Sequence, residues 1–248
     1  MYRIDEFEHL KQKYSEKIID EKKWKIYEKP VLGYILVGNR EDSEMYVRSK
    51  KHICEQIGLE CVGFDLPINC SEQQVCELVR QMNDDPKING IMIQLPLPQR
   101  FDENKILDLI DPKKDVDGFH PVNIGNLALK GRDPDFISCT PLAVYELLKE
   151  YCLKSGDFSD QNITICGKSN IVGMPLSLLL SKNNATVSLC HSKTKNIEDF
   201  VRQADILITA IGQKHFFKGE LFEEIIIIWI VIMRNKNQKI SRNNNMRV

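Results

Sequence analysis

The chain has 248 residues, of which 42% are hydrophobic and 28% charged, and its formal net charge is −1. That length suits one large domain or two small ones, and the balanced charge leaves no basic field for nucleic acid or an anionic membrane. The longest apolar run, Ile225 to Met233, is far short of the roughly 18 residues of a membrane span, so a soluble, cytoplasmic protein without nucleic-acid or membrane partners is expected.

Residues from about Asp5 to Lys29 are polar, rich in Lys and Glu and free of Gly and Pro, which predicts an exposed helix closed by Pro30. Val31 to Val37 is an apolar run that predicts a buried strand. A helix over Ser43 to Ile57 follows, with Gly58 as its stop. Glu60 to Leu66 reads as a second strand, Ser71 to Asn83 as a helix and Asn89 to Gln94 as a third strand. Such alternation predicts an α/β architecture with a parallel sheet. Pro112 to Ser138 reads as a loop-rich stretch. Thr140, as a cap, and Pro141 then open a helix to about Leu153. A second alternation follows: strand Asn162 to Cys166, helix Gly173 to Lys182, strand Ala185 to Cys190, helix Asn196 to Gln203 and strand Asp205 to Ile211. The domain boundary is placed near residue 138.

Eight cysteines occur without a C-x-x-C pair, no secretory signal precedes them, and the five histidines do not join them at zinc spacing. Reduced, buried thiols and no metal are therefore expected.

Gly167-Lys-Ser-Asn-Ile-Val-Gly173 lies directly after a predicted strand and directly before a predicted helix. Small residues there let backbone amides approach a pyrophosphate, and the helix N-terminus favours its charge. This is not the standard G-x-G-x-x-G. Nor is Gly-Lys-Ser a P-loop, because Asn162 stands where that motif needs a glycine. An NAD site would place an acid about 20 residues beyond the glycines. Here the region reads Cys190-His-Ser-Lys-Thr194, and Ser192, Lys193 and Lys168 could surround a ribose phosphate. NADP rather than NAD is the expected cofactor.

Seven blocks occur in order: Val37-Gly38; Tyr46-Val-Arg-Ser-Lys50; Gln94-Leu-Pro-Leu-Pro98; Lys114-Asp-Val-Asp-Gly-Phe-His-Pro121 with Asn123 and Gly125; Cys139-Thr-Pro141; Gly167 to Gly173; and Cys190-His-Ser192. Together, over roughly residues 30 to 222, they resemble the bifunctional methylenetetrahydrofolate dehydrogenase/methenyltetrahydrofolate cyclohydrolase family. The resemblance implies two α/β domains separated by a cleft: a folate-binding catalytic domain (1–138) and a Rossmann-like dinucleotide domain (139–228). It implies Lys50 as the catalytic lysine with Tyr46 one turn before it, Gln94 contacting that lysine, and Asp117 binding the pterin ring. Ile93 and Leu95 join these four in the substrate wall. Gly167, Lys168, Ser169 and Ser192 are implied to bind NADP, tetrahydrofolate derivatives to be the substrates, and a homodimer to be the assembly. Hydride removal from the methylene needs positioning. Hydrolysis of the resulting cation needs proton transfer, which a desolvated lysine beside cationic charge can perform.

Read alone, Lys50 is a solvated helix lysine, Asp115 a turn cap behind Asp117, and His120 and His191 structural residues. The family's Pro-Gly-Gly-Val-Gly-Pro loop is absent, and Arg234 to Val248 is basic and reads as disordered. A shifted frame or truncation after about Ile228 is the expectation, with residues 229–248 a disordered tail, an aggregation hazard in Ile225 to Met233 and low solubility or activity. Two other readings stay open: a different two-domain NAD(P)-dependent dehydrogenase, and an inactive member that only binds a dinucleotide.

Overall fold

The structure is a computed structural model that describes residues 29–151, 153, 155–212, 216–217 and 226–229. The expected helix before Lys29 and the expected tail beyond Trp229 lie outside the described residues. The described chain forms two compact units. The first runs to Gly125 and includes Asp133–Ile137, and the second comprises Asn126–Arg132 and continues from Ser138.

In the first unit, β1 (Val31–Val37), α1 (Glu41–Gln56), β2 (Glu60–Leu66), α2 (Glu72–Asp84) and β3 (Ile88–Ile93) alternate. The three strands are parallel in the order β2-β1-β3. β1 is apolar throughout because both of its faces are covered. Ile35 and Val37 pack with Val75, Val79 and Met82 of α2 and with Ile91 and Ile93 of β3. On the opposite face, Tyr34 and Leu36 pack with Val47 of α1 and Met92 of β3. The buried residues of α2, Val75, Cys76, Val79 and Met82, recur at the three-and-four spacing of one helical stripe.

Both ends of α2 are satisfied. Ser71 Oγ accepts from the Gln74 amide at 3.2 Å while Gln74 Oε1 accepts from the Ser71 amide at 2.8 Å, a reciprocal cap. At the other end Lys114 Nζ donates to the carbonyls of Met82, Asn83 and Asp85 at 3.1, 2.7 and 2.9 Å. A cation there meets carbonyls that the helix leaves without partners.

The stretch read as loop from Pro112 to Ser138 contains a helix, α4 (Pro121–Ala128), and a shorter one, α3 (Glu103–Leu107), precedes it. Both are too short for a periodic apolar stripe, so the sequence pattern had little to reveal. The helix before the second alternation, α5, spans Cys139–Tyr151. Thr140 therefore lies inside its first turn and is not its cap.

The second unit continues with β4 (Asn162–Cys166), α6 (Gly173–Lys182), β5 (Thr186–Cys190), α7 (Ile197–Arg202), β6 (Ile206–Thr209) and β7 (Ile226–Trp229). Its four described strands are parallel in the order β5-β4-β6-β7. Val144 and Leu148 of α5, Leu176 and Leu180 of α6 and Phe158 close over Ile163, Ile165, Ile206 and Ile208. Ile226–Trp229, part of the run feared as an unpaired β-prone segment, is hydrogen-bonded in register to β6, so Trp229 belongs to a strand and not to a tail. No disulfide joins the described cysteines. Among the described residues no helix is long and apolar enough to cross a membrane.

Phe158 is fully buried, so Phe158→Ala is expected to cost about 3–5 kcal/mol. Ser71→Ala, which removes one cap, should cost about 1 kcal/mol. Denaturant unfolding of the two variants checks the order, and equal losses would contradict this description of the core.

Candidate active site

Strand order decides where a ligand can sit. β1 is flanked by β2 and β3, so the connections leaving β1 and β3 run to opposite sides. A crevice opens where two such connections part, beyond the carboxyl ends of the strands. Gln94 and Leu95 leave β3 at that point, and α1 leaves β1 beside it. The Gln94 amide donates to the Ile35 carbonyl at 2.9 Å, which fixes the backbone there. Its side-chain Nε2 donates to the Leu95 carbonyl at 2.8 Å. Its Oε1 is buried and has no partner among the described residues. A buried acceptor without a donor is costly, and it marks a place where a donor belongs.

Lys50 extends from α1 to the same sheet face. Its Nζ lies 2.7 Å from Met92 Sδ, and strand alternation puts Met92 and Gln94 on one side of β3. The half-buried Asp117 completes the group. Burial pushes its carboxyl up to about 6, the nearby Lys50 ammonium opposes that rise, and the Asp115 carboxylate adds to it. Charges that act on one another in this way share a neighbourhood. The structure thus brings Lys50, Gln94 and Asp117 to one region of the first unit.

Tyr46 lies one turn before Lys50 on α1 and is 43% exposed. Leu95 is half-buried against the core on the α2 side and joined to Pro96 by a cis peptide bond. Ile93 needs a correction. Its side chain is 2% exposed and packed in the core on the α2 side, because alternation turns it away from the face that carries Met92. The side chain is not available to a ligand.

Sequence reasoning gave no role to Met92, Asn123 or Lys114, which hold the group in place. Asp115 is 1% exposed and accepts from the His120 amide and from Asn123 Nδ2. His120 Nδ1 in turn accepts from the Val122 amide at 3.1 Å. His191 Nδ1 accepts from the Lys193 amide at 3.2 Å. Both rings are thus engaged with backbone.

In the second unit the same logic applies to β4, flanked by β5 and β6. The loop after β4 begins at Gly167, whose φ of +117° places it where side chains are strained. Its amide donates to the Cys190 carbonyl at 2.8 Å. A Cβ on Gly173 would stand 1.7 Å from the Gly167 carbonyl oxygen, so the turn can close onto α6 only with glycine there. Ser138, 2% exposed, donates from Oγ to the Ile171 carbonyl at 3.1 Å and anchors this loop. Cys166 and Cys190 are register partners, so the segments that follow them, Gly167-Lys168-Ser169 and His191-Ser192-Lys193, are neighbours at the sheet's carboxyl edge. Lys168, Ser169, Ser192 and Lys193 are all exposed. Beneath them, burial pushes the Cys166 thiol up to about 12, which leaves it inert packing. Among the described residues no cluster of His, Cys, Asp or Glu is placed to hold a metal ion.

Comparison with known proteins covers both units. The family model for the tetrahydrofolate dehydrogenase/cyclohydrolase catalytic domain matches residues 6–117, and that for the same family's NAD(P)-binding domain matches residues 138–245. The likeness thus reaches beyond residues 30 to 222 at both ends. The bifunctional protein FolD 4, chloroplastic, of Arabidopsis thaliana is 47% identical over 190 residues, 77% of this chain and 52% of that protein. The bifunctional protein FolD of Acetivibrio thermocellus is 43% identical over 212 residues, 85% of this chain and 73% of that protein. The chain thus spans about half the length of the first relative and about three quarters of the second. The structure of a Trypanosoma brucei methylenetetrahydrofolate dehydrogenase-cyclohydrolase complexed with NADP and an inhibitor superposes with a TM-score of 0.80 at 32% identity, covering 87% of this chain and 73% of that one. A shikimate dehydrogenase from Aquifex aeolicus, 14% identical with a TM-score of 0.50, shares the fold alone. The seven blocks, the grouping of Lys50, Gln94 and Asp117 and the two family models agree: this chain belongs to the tetrahydrofolate dehydrogenase/cyclohydrolase family.

Proposed function

We propose that this chain performs two steps of one-carbon folate chemistry. The first is NADP-dependent oxidation of methylene-tetrahydrofolate to methenyl-tetrahydrofolate, and the second is hydrolysis of that product to formyl-tetrahydrofolate. The observation that carries the reading is Lys50 Nζ resting on Met92 Sδ, on the strand face that leads to the buried, unpartnered Gln94 Oε1, with the Asp117 carboxyl within reach of its charge.

Asp117 offers a carboxylate to the amino and amide N–H groups of a pterin ring, a charge-assisted match. Lys50 handles the proton in the hydrolytic step, where water adds to a cationic carbon and a ring nitrogen must leave. Gln94 Oε1 accepts from the ammonium when a substrate displaces Lys50 from Met92, and so keeps it aimed. Tyr46 covers the substrate from the preceding turn of α1, while the Leu95 side chain, packed on the α2 side like that of Ile93, backs the strand rather than the substrate.

Bound NADP supplies the hydride acceptor. The residues present fit that cofactor: Gly167 and Gly173 leave a cradle that a Cβ would fill, Lys168 and Ser169 border it, and Ser192 with Lys193 offers donors to a ribose phosphate. No acid stands in Cys190 to Lys195 to favour a free ribose hydroxyl instead. On this reading residues 1–138 serve folate and residues 139–228 serve the dinucleotide, while the assembly is a homodimer in the cytosol.

A spectrophotometric assay with methylene-tetrahydrofolate and either NADP or NAD tests the reading directly. Turnover is expected with NADP and much less with NAD; turnover with neither would remove the proposal. In Lys50→Met, hydrolysis of methenyl-tetrahydrofolate should fall by about 100-fold or more while dinucleotide binding is retained.

Asp117 also predicts a stability effect of known sign. Its folded-state value, about 6, lies above the 3.8 of an unperturbed aspartate, so the folded chain binds more protons between those values than the unfolded chain. Stability is therefore lost as pH rises through that window, and the loss is complete above it. Asp117→Asn should raise stability at pH 8 by on the order of 1–3 kcal/mol, with no gain near pH 3.5, while abolishing folate binding. Thermal melts at the two pH values read this out; a variant less stable at pH 8 would contradict it.

A further inference from the structure

The motif Asp115-Val116-Asp117 carries two carboxylates, and the chemistry above uses only the second. Asp115 is 1% exposed and Asn123, its partner, is also 1% exposed. One oxygen of Asp115, Oδ2, accepts from the His120 amide at 2.8 Å and from Asn123 Nδ2 at 2.9 Å. Asn123 is saturated in turn. Its Nδ2 also donates to the Pro112 carbonyl at 3.0 Å, and its Oδ1 accepts from the amides of Asp135 and Phe136 at 3.1 and 3.4 Å. Between the two acids, Val116 packs over Gly90 of β3, where a Cβ would meet Val116 Cγ1 at 2.3 Å. The segment is thus pinned at 112, 115, 116 and 123, and Asp117 has little freedom to point elsewhere.

Two N–H donors could be held by an amide oxygen just as well. A buried carboxylate costs far more than a buried amide, so the charge itself calls for a role. We propose that Asp115 is a positioning residue: its buried carboxylate fixes the loop that presents Asp117, and its charge sets how readily Asp117 holds a proton. Docking of a pterin through its N–H donors then favours the carboxylate form, the proton passing to solvent water. The groups that act on Asp117 are Lys50 from α1 and Asp115 from its own segment, and β3, against which the segment packs, carries no titratable side chain. The kinetic consequence rests on the folate reading, whereas the electrostatic claim does not.

The test is Asp115→Asn, which keeps an oxygen acceptor for His120 and Asn123. Carbon-13 carboxyl NMR of the full chain follows the Asp117 resonance, assigned by its loss in Asp117→Asn. The titration midpoint of Asp117 should fall by about half a pH unit or more in Asp115→Asn. The acid limb of the folate-dependent kcat/KM profile should move to lower pH with it. A folded Asp115→Asn in which the Asp117 midpoint is unmoved overturns the proposal, because Asp115 would then be only a brace. Asp115→Ser repeats the comparison with a hydroxyl acceptor, and failure of both variants to fold also overturns it, since the charge would then serve the loop alone. A shifted midpoint in a chain without folate turnover leaves this inference standing and removes the folate reading instead.

Discussion

Lys50 and Asp117 come from parts of the chain with no local reason to meet. One lies on the helix after the first strand, the other on a segment pinned along the outer edge of the third. Their attraction is the interaction on which the functional account depends. Burial alone would drive Asp117 towards its neutral form, and the Lys50 ammonium works against that. The balance leaves a carboxyl raised to about 6, at a net cost to folding above that value. Such a cost is ordinary for a group kept for chemistry.

The scaffold that holds this pair is repeated in outline. Each unit places its first strand between two parallel neighbours, and in each the loops diverge at the carboxyl end of that strand. What differs is the chemistry set there. In the first unit the site is built from long side chains reaching from a helix, Lys50 above all, onto a sheet face bearing Met92. In the second it is built from missing side chains, since Gly167 and Gly173 bring backbone to where a phosphate group would lie. On the proposed function, a protonable cluster and a backbone cradle are different solutions because one would move protons and the other would hold a polyanion.

Much of the fold was legible. The strand limits Val31–Val37 and Asn162–Cys166 and the helix Gly173–Lys182 follow from largely apolar runs bounded by Gly, Pro or polar residues, and the structure has the same limits, as it does for the more polar strand Glu60–Leu66. Legibility failed where order comes from long-range hydrogen bonds. α4 and its approach are held by Asp115, Asn123 and Lys114, whose partners lie up to 32 residues away, and no local pattern announces them. The site was legible in a similar measure. Lys50, Gln94 and Asp117 stood in motif blocks, whereas Met92 looks like any core residue and Ser138 like any loop serine. The resemblance implied Ile93 alongside Gln94, although strand alternation alone argues that adjacent residues face opposite sides.

The pairing of Lys50 with Asp117 can be measured without substrate or cofactor. Carbon-13 NMR of the Asp117 carboxyl in the intact chain gives its titration midpoint, and Lys50→Met removes the ammonium while keeping the apolar stem. If the two groups share one site, the Asp117 midpoint rises in the variant, because burial then acts unopposed. An unchanged midpoint in a folded Lys50→Met protein would mean that the two charges do not meet, and the account of the site would be wrong.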